Sequence, residues 1–151
     1  MAGDLKSHAL RLLATREHSR SELRRKLNSR AQEGDDVEAV LDRMSETGLQ
    51  SDERFAESYV RSRSGRVGSA RLRRELAERG VSPDMAEEAL AEALPDDEMS
   101  RARAVWQKKF AAAPADAREW AKQARFLQGR GFPVDIIRKL LKEPFDESAE
   151  S

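Results

Sequence analysis

The sequence predicts an all-α protein made of three tandem three-helix repeats, and three observations carry this prediction. The pentapeptide LRRKL at residues 23–27 returns as LRREL at residues 72–76. The hexapeptide RGVSPD at residues 79–84 returns as RGFPVD at residues 130–135. Apolar residues recur at helical spacing, and no useful run shows the alternation typical of strands. Because one unit of about 50 residues cannot bury a full hydrophobic face alone, we expect an elongated, curved array.

The period of the two motifs sets the predicted boundaries. The repeats lie at residues 4–48, 49–94 and 95–143. Residues 143–151 contain four acidic residues and no basic residue, so we expect residues 144–151 to form a flexible acidic tail.

The first repeat carries a start or stop signal at each helix. Its first helix is predicted from about residue 4 to residue 15, where leucine and alanine form one apolar face. Ser19 and Glu22 have the spacing of a capping box, which begins the second helix. The third helix ends at Gly48, a typical left-handed stop. The inner face of this third helix consists of Val37, Val40, Leu41 and Met44.

The second repeat opens directly after Gly48, with Ser51 and Asp52 at its start. A Gly/Ser-rich connector at residues 64–69 leads to the helix that carries the repeated LRREL motif, and Gly80 ends that helix. Ser82 as the cap and Pro83 at the first helical position begin the next helix. The inner faces of the outer two helices consist of Phe55, Ala56, Tyr59 and Val60, and of Met85, Ala86, Ala89, Leu90, Ala93 and Leu94.

The third repeat begins after Pro95, and prolines separate its helices. Pro114 divides the first helix from the second, and Pro133 opens the last. Trp106 and Trp120 fall on apolar helical spacing, so we interpret them as core residues and not as base-stacking platforms. The apolar faces of the first and last helices consist of Ala102, Val105, Trp106 and Phe110, and of Ile136, Ile137, Leu140 and Leu141.

Composition excludes several classes of function. The chain has no cysteine and no run of 18 apolar residues, so we expect a cytoplasmic protein without disulfides or membrane spans. It contains no phosphate-binding loop, no nucleophile elbow and no paired-histidine spacing, since His8 and His18 stand ten residues apart. We therefore expect neither an enzyme nor a metal site, and no cofactor.

Charge is strongly segregated although 28 basic residues balance 28 acidic ones. Residues 61–80 contain seven basic and two acidic residues, whereas residues 81–99 contain seven acidic residues and no basic one. The most concentrated basic set is Arg61, Arg63, Arg66, Arg71, Arg73 and Arg74. Arginine pairs bidentately with phosphate or carboxylate, so this set is either an anion-binding surface or a solvated helix face.

Basic residues of the third repeat are more dispersed, and for them a solvated surface is the favoured interpretation. These residues are Arg101, Arg103, Lys108, Lys109, Arg118, Lys122, Arg125 and Arg130.

The repeated motifs and their flanking residues resemble a known family, the RecX regulators of the bacterial recombinase RecA. The resemblance runs from about Leu5 to Glu143, and its most specific stretches are residues 19–27, 40–60 and 126–132. Two departures stand out. Ala31 occupies the place of Gly80 and Gly131, and Gln123 replaces the leucine that the other repeats have at this position.

The resemblance implies a protein that docks along the groove of the RecA filament on DNA. It implies inhibition of filament growth, ATP hydrolysis, strand exchange and the coprotease role, and therefore a part in DNA repair, DNA recombination and the SOS response. It also implies no cofactor and a monomer. The residues expected to face RecA, DNA phosphates or both are Arg61, Arg63, Arg66, Arg71, Arg73, Arg74, Arg24, Arg25 and Lys26.

Two alternatives stay open on the residues alone. One is a sequence-nonspecific DNA-binding protein with helix-turn-helix-like units, whose affinity would come from counterion release. The zero net charge and the acidic blocks argue against it, because they would repel a phosphate backbone. The other is a plain helical scaffold.

Overall fold

The computed structural model describes residues 2–94 and 97–142. These residues form nine α-helices and no β-strand, which confirms the all-α class and the three helices expected for each repeat. Pro95 and the predicted acidic tail lie outside the described residues. The helices are α1 (Ala2–Thr15), α2 (Arg20–Asn28), α3 (Val37–Glu46), α4 (Asp52–Arg63), α5 (Ser69–Glu78), α6 (Pro83–Ala93), α7 (Glu98–Lys109), α8 (Ala117–Gly129) and α9 (Val134–Leu141).

The chain divides into two compact units. The first unit comprises Met1–Tyr59 with Glu75–Glu92, and the second comprises Val60–Arg74 with Ala93–Ser151. Helices α4 and α5 therefore contribute residues to both units. The predicted repeat boundaries and the elongated, curved array stay predictions.

The first unit contains a core made by one face each of α1, α2 and α3. The capping box predicted at Ser19 and Glu22 is present: the Glu22 amide donates to the Ser19 hydroxyl at 3.0 Å, and the Ser19 amide donates to the Glu22 carboxylate at 3.1 Å. Each buried leucine contributes about 1.5–3 kcal/mol to stability. The buried members are Leu5, Ala9, Leu23, Leu27, Val40, Leu41 and Met44.

The second unit contains a core made by α7, α8 and α9. Trp106 and Trp120 pack against it, which confirms their interpretation as core residues. Gln123 is buried, and its amide is satisfied: Trp106 Nε1 donates to Oε1 at 2.7 Å, and Nε2 donates to the Ala112 carbonyl at 3.2 Å. In the third repeat, a glutamine that is hydrogen-bonded to a tryptophan therefore takes the place of the leucine found in the other two repeats. The buried apolar members are Ala102, Val105, Leu127, Phe132, Ile137 and Leu141.

Two residues predicted on helical apolar faces, Leu94 and Phe110, lie outside their helices. Leu94 directly follows the end of α6 at Ala93. Helix α7 ends at Lys109, and Phe110 follows in an extended conformation with φ −120° and ψ 139°. The phenyl ring of Phe110 instead meets Phe126 of α8 edge-on, with ring centroids 5.4 Å apart. The helix thus ends five residues before Pro114, so Pro114 is not the residue that breaks it.

A turn formed by Arg79 and Gly80 joins the second repeat to the first. Gly80 has φ +83°, and the Val81 amide donates to the Leu76 carbonyl at 3.0 Å, which ends α5 in the predicted left-handed stop. The Arg79 carbonyl accepts a hydrogen bond of 2.7 Å from the Ser19 hydroxyl at the start of α2. A Cβ atom on Gly80 would lie 2.5 Å from Cβ of Ser21. Glycine is therefore required both by the backbone and by the neighbouring helix.

The equivalent turn in the second unit is formed by Arg130 and Gly131. The Arg130 carbonyl accepts from the Gly68 amide at 2.7 Å, and the Gly131 carbonyl accepts from the Ala70 amide at 3.1 Å. Gly131 has φ +91°, and a Cβ atom there would overlap Arg71. We call each of these two contacts an Arg–Gly junction, because each fits an Arg–Gly turn onto the first turn of the second helix of the preceding repeat.

The first repeat ends its second helix differently, as its Ala31 indicates. Helix α2 stops at Asn28, and the Gln32 amide donates to the Asp35 carboxylate at 2.9 Å. The positive φ that the other repeats place at the turn glycine occurs instead at Gly34, with φ +90°. A side-chain carboxylate, that of Asp35, thus caps this loop.

His18 is buried just before the cap of α2, with 1% of its surface exposed. Its Nδ1 lies 3.1 Å from the Arg16 carbonyl, and its Nε2 lies 3.0 Å from Lys26 Nζ. Burial lowers the pKa of His18, and the positive charges of Arg16 and Lys26 lower it further, while the hydrogen bond to the Arg16 carbonyl and the Glu22 carboxylate oppose them. The geometry suits a neutral ring that donates to Arg16 and accepts from Lys26.

We expect Gly80→Ala to destabilise the protein more than Gly48→Ala. Both glycines have positive φ, at +83° and +77°, so both substitutions carry a backbone cost of about 1–2 kcal/mol. A Cβ atom on Gly80 would also collide with Ser21, which should add about 1–3 kcal/mol to the loss of stability. A Cβ atom on Gly48 would meet nothing within 4 Å, so its substitution carries no such addition. Urea unfolding followed by circular dichroism measures the difference, and equal losses would contradict the junction.

We expect the stability of the protein to fall as the pH drops through the ordinary pKa of histidine, about 6.5. The folded state holds the pKa of His18 below that value. As the pH falls, the unfolded chain therefore takes up a proton first, and this protonation stabilises the unfolded state relative to the folded one. The contribution of one such group is at most about 1.4 kcal/mol per pH unit. Urea unfolding at several pH values tests this: His18→Gln should flatten the acid-side slope, and an unchanged slope would show that His18 titrates normally.

Candidate anion-binding surface

The nine basic residues selected from the sequence fall into two groups, one in each unit. The first-unit group lies on α2, and the second-unit group lies at the end of α4, in the connector and in the first turns of α5. The first-unit group is Arg24, Arg25 and Lys26. The second-unit group is Arg61, Arg63, Arg66, Arg71, Arg73 and Arg74.

Two of the three first-unit residues are engaged within the unit. Arg24 pairs bidentately with Glu38 of α3, at 2.8 Å from Nε to Oε2 and 3.1 Å from Nη2 to Oε1. This contact lowers the pKa of the Glu38 carboxyl. Lys26 Nζ lies 3.0 Å from His18 Nε2. Arg25 is exposed, and its side chain has no ion pair or hydrogen bond with any residue that the structure describes.

Acidic residues of α3 in the first repeat pair with arginines of the neighbouring helix α2. Arg20 of α2 donates to Asp42 of α3 at 2.6 Å, in addition to the contact of Arg24 with Glu38. The carboxylates are more than half exposed and the arginines partly exposed, so each pair contributes only about 0.2–1 kcal/mol. Part of the charge alternation along the sequence therefore serves pairing between neighbouring helices and not an external ligand.

The second-unit group contains the more available charges. Arg61, Arg66 and Arg74 are exposed, and across the described ranges their side chains make no ion pair or hydrogen bond. Arg71 Nη1 donates to the Gly129 carbonyl at 3.2 Å, next to the Arg–Gly junction. Arg71 thus has a structural contact, while Arg61, Arg66 and Arg74 are available to meet an anion.

The third repeat adds basic residues that the sequence-based interpretation assigned to a solvated surface. Lys108, Lys109 and Arg130 join Arg66 around a cavity of about 190 Å³, which Gly65, Val105 and Phe126 complete. We call this cavity the basic pocket. Arg130 Nη1 donates to the Arg66 carbonyl at 3.3 Å, so the connector and the α8–α9 turn meet at its rim.

The ring of Phe126 makes cation–π contacts with two of the cations of the basic pocket. Lys109 Nζ lies 5.7 Å from the ring centroid, and the guanidinium carbon of Arg130 lies 5.1 Å from it. Such cation–π contacts contribute about 0.5–1 kcal/mol each at exposed sites. They hold the two charges near the pocket without neutralising them.

An acidic residue holds the start of α5, from which Arg71, Arg73 and Arg74 extend. The Glu98 carboxylate accepts from the Ser69 amide at 3.0 Å and from Arg101 Nη2 at 2.9 Å. Arg101 is 5% exposed, so it serves this buried pair and is not available to a ligand. A negative charge at the first turn of a helix also stabilises that helix.

The described residues offer neither a metal site nor a membrane span. Among residues 2–94 and 97–142, no three His, Asp or Glu side chains cluster in a way that could hold a metal ion. Within the same ranges no helix has both the length and the apolar character needed to cross a membrane.

Comparison with known protein families gives three matches in tandem. Models of the first, second and third three-helix domains of RecX match residues 6–44, 51–90 and 96–141. Each matched range lies inside one of the predicted repeats.

Similar proteins and structures agree with these matches. The chain is 51% identical over 138 residues to the regulatory protein RecX of Herminiimonas arsenicoxydans, with 91% of each chain covered. It is 46% identical to the RecX of Leptothrix cholodnii, covering 91% of this chain and 87% of that protein. The crystal structure of RecX from Lactobacillus salivarius has the same fold, with a TM-score of 0.77 at 23% identity over 93% of this chain and 94% of that one. The chain therefore belongs to the RecX family of regulatory proteins.

Proposed function

We propose that this protein binds the RecA–DNA filament and inhibits the recombinase, ATPase and coprotease activities of RecA. It does so by blocking filament extension or by occupying the filament groove. Membership of the RecX family supports RecA as the partner. The proposal implies a monomer that acts in the cytoplasm, in DNA repair, DNA recombination and the SOS response.

The observation that carries the proposal is the set of exposed arginines around the connector. Arg61, Arg66 and Arg74 have no side-chain partner in the described part of the chain, so their charges are available to carboxylates of RecA or to phosphates of DNA. Arg25 adds a further available charge on α2. Arg24, Lys26, Arg63, Arg71 and Arg73 remain part of the proposed surface, although each of these five side chains also has an internal interaction.

A tandem repeat suits a partner that is itself periodic. Repeats at residues 4–48, 49–94 and 95–143 would present similar contacts to successive RecA protomers. Several modest contacts made by one chain add as an avidity effect, since each later contact forms at a high effective concentration. Because the contacts are charged, the inhibition should weaken as salt increases.

We expect the triple variant Arg25→Gln, Arg61→Gln, Arg74→Gln to inhibit RecA poorly. The three side chains are exposed, and the folded chain loses no contact that the structure describes when they are replaced. Losing three charge-assisted contacts of about 1 kcal/mol each should raise the concentration for half inhibition by at least about tenfold. The measurement is the DNA-dependent ATPase activity of preformed RecA filaments.

The matched control is Lys6→Gln, Arg11→Gln, Arg43→Gln, which removes the same charge from exposed positions on α1 and α3. We expect this control to inhibit within about twofold of the unaltered protein, because nonspecific attraction alone is weak and screened. If both variants inhibit equally, the proposed surface is wrong. If the unaltered protein leaves the ATPase unchanged, the proposed function is wrong.

The dose dependence of the same assay separates the two modes of inhibition. Blocking extension needs few molecules per filament, because one molecule at a growing end stops further addition. Occupying the groove needs enough molecules to cover the filament. We expect inhibition well below one molecule per RecA protomer if extension is blocked, and only near saturation of the groove otherwise.

A further inference from the structure

We propose that the basic pocket, formed by Arg66, Lys108, Lys109 and Arg130 around Phe126, binds a backbone phosphate of DNA. The family matches do not identify this site, and of its four cations the sequence-based selection of anion-binding residues included only Arg66. Three of its four cations come from the third repeat, whose basic residues are dispersed along the sequence.

The charge composition of the pocket favours a phosphate. Its seven lining residues include two lysines, two arginines and no acidic residue. The surface of a protein partner usually carries charges of both signs, and a surface of mixed charge complements it best. The surface on α2 and α3 is of this mixed kind, because Arg20 and Arg24 alternate there with Glu38 and Asp42. An all-cationic concave site instead suits a ligand that is uniformly anionic, and the DNA backbone is such a ligand.

The dimensions of the pocket agree with one phosphate group and not with a base. A volume of about 190 Å³ that opens to solvent admits a phosphodiester with its water. Phe126 is not available as a stacking platform, because Phe110, Lys109 and Arg130 already contact its ring. Contacts would therefore go to the backbone, which predicts binding without sequence preference.

The pocket continues into further positive charge within the second unit. Arg71 reaches the Gly129 carbonyl, one residue before Arg130, and Arg130 reaches the Arg66 carbonyl on the other side. Cations thus follow one another from the start of α5, across the α8–α9 turn, to the end of α7. A row of this kind suits a chain of phosphates.

This inference rests on the proposed function, since filament binding brings the protein next to DNA, and it names the ligand of one part of the surface. Its test does not need RecA. Fluorescence anisotropy of a labelled oligo-dT strand and of a duplex of the same length, each titrated with the full-length protein over a range of salt, reports affinity and its salt dependence separately.

The variant for this test is Arg66→Gln, Lys108→Gln, whose two side chains are exposed at the pocket rim. Each lost phosphate contact should lower the slope of log affinity against log salt by about 0.7 on the single strand and about 0.9 on the duplex. Affinity near physiological salt should fall on the order of tenfold, equally for all sequences. The control Arg118→Gln, Arg125→Gln removes two exposed charges from α8 outside the pocket and should change the slope by much less.

Equal losses in the two variants would overturn the inference, because net charge alone would then explain binding. So would an unchanged slope in the pocket variant, or absence of DNA binding by the unaltered protein at low salt. A pocket variant that binds DNA normally but inhibits RecA poorly would also overturn it, and would assign the pocket to a carboxylate of a protein partner. Thermal melting checks that both variants remain folded. Failure of the proposed function would appear separately, as an unaltered protein without effect on the RecA ATPase.

Discussion

The Arg–Gly junction is the contact on which the packing of one repeat against another depends. In the first unit the Arg79 carbonyl accepts from Ser19, and in the second unit the Arg130 carbonyl accepts from Gly68. The donor is a side-chain hydroxyl in the first junction and a backbone amide in the second. The two junctions share the acceptor, which is the arginine carbonyl, and the close approach of the following glycine to the preceding repeat. Because a Cβ atom at either turn glycine would collide with the preceding repeat, the repeat sequence is constrained at a position that carries no side chain.

Charge serves two purposes in this chain, and the structure separates them. On α2 and α3, opposite charges meet across neighbouring helices, as Arg24 does with Glu38. Glu98 acts similarly when it joins Ser69 and Arg101 at the start of α5. Around the connector, in contrast, Arg61 and Arg66 are exposed with no side-chain partner in the described ranges. Segregated charge in a sequence therefore indicates a ligand surface only where the facing element carries no opposite charge.

Much of the fold could be predicted from local signals, because caps and stops act within a few residues. The capping box at Ser19 and the left-handed glycines at 48 and 80 are examples. Local rules miss the helix end at Phe110, since its partner Phe126 lies on another helix. They miss the basic pocket for the same reason: Arg66 stands more than 40 residues before Lys108, and no spacing rule links them. The repeated arginine before Gly80 and Gly131 was the one available signal, because it marks Arg130 as part of a recurring turn.

The junction and the basic pocket share residues, so packing in the second unit is linked to the proposed ligand binding. The backbone of Arg130 belongs to the junction through its contact with Gly68, while its guanidinium reaches the Arg66 carbonyl and lies over Phe126. The pocket therefore exists only when the α8–α9 turn is seated against the connector. A ligand that bridges Arg66 and Lys108 would in turn hold the connector on α7 and stabilise the junction by its own binding free energy. Contacts that stack one repeat on the next would then strengthen when the surface is occupied, which agrees with the proposed binding along a filament of repeating units.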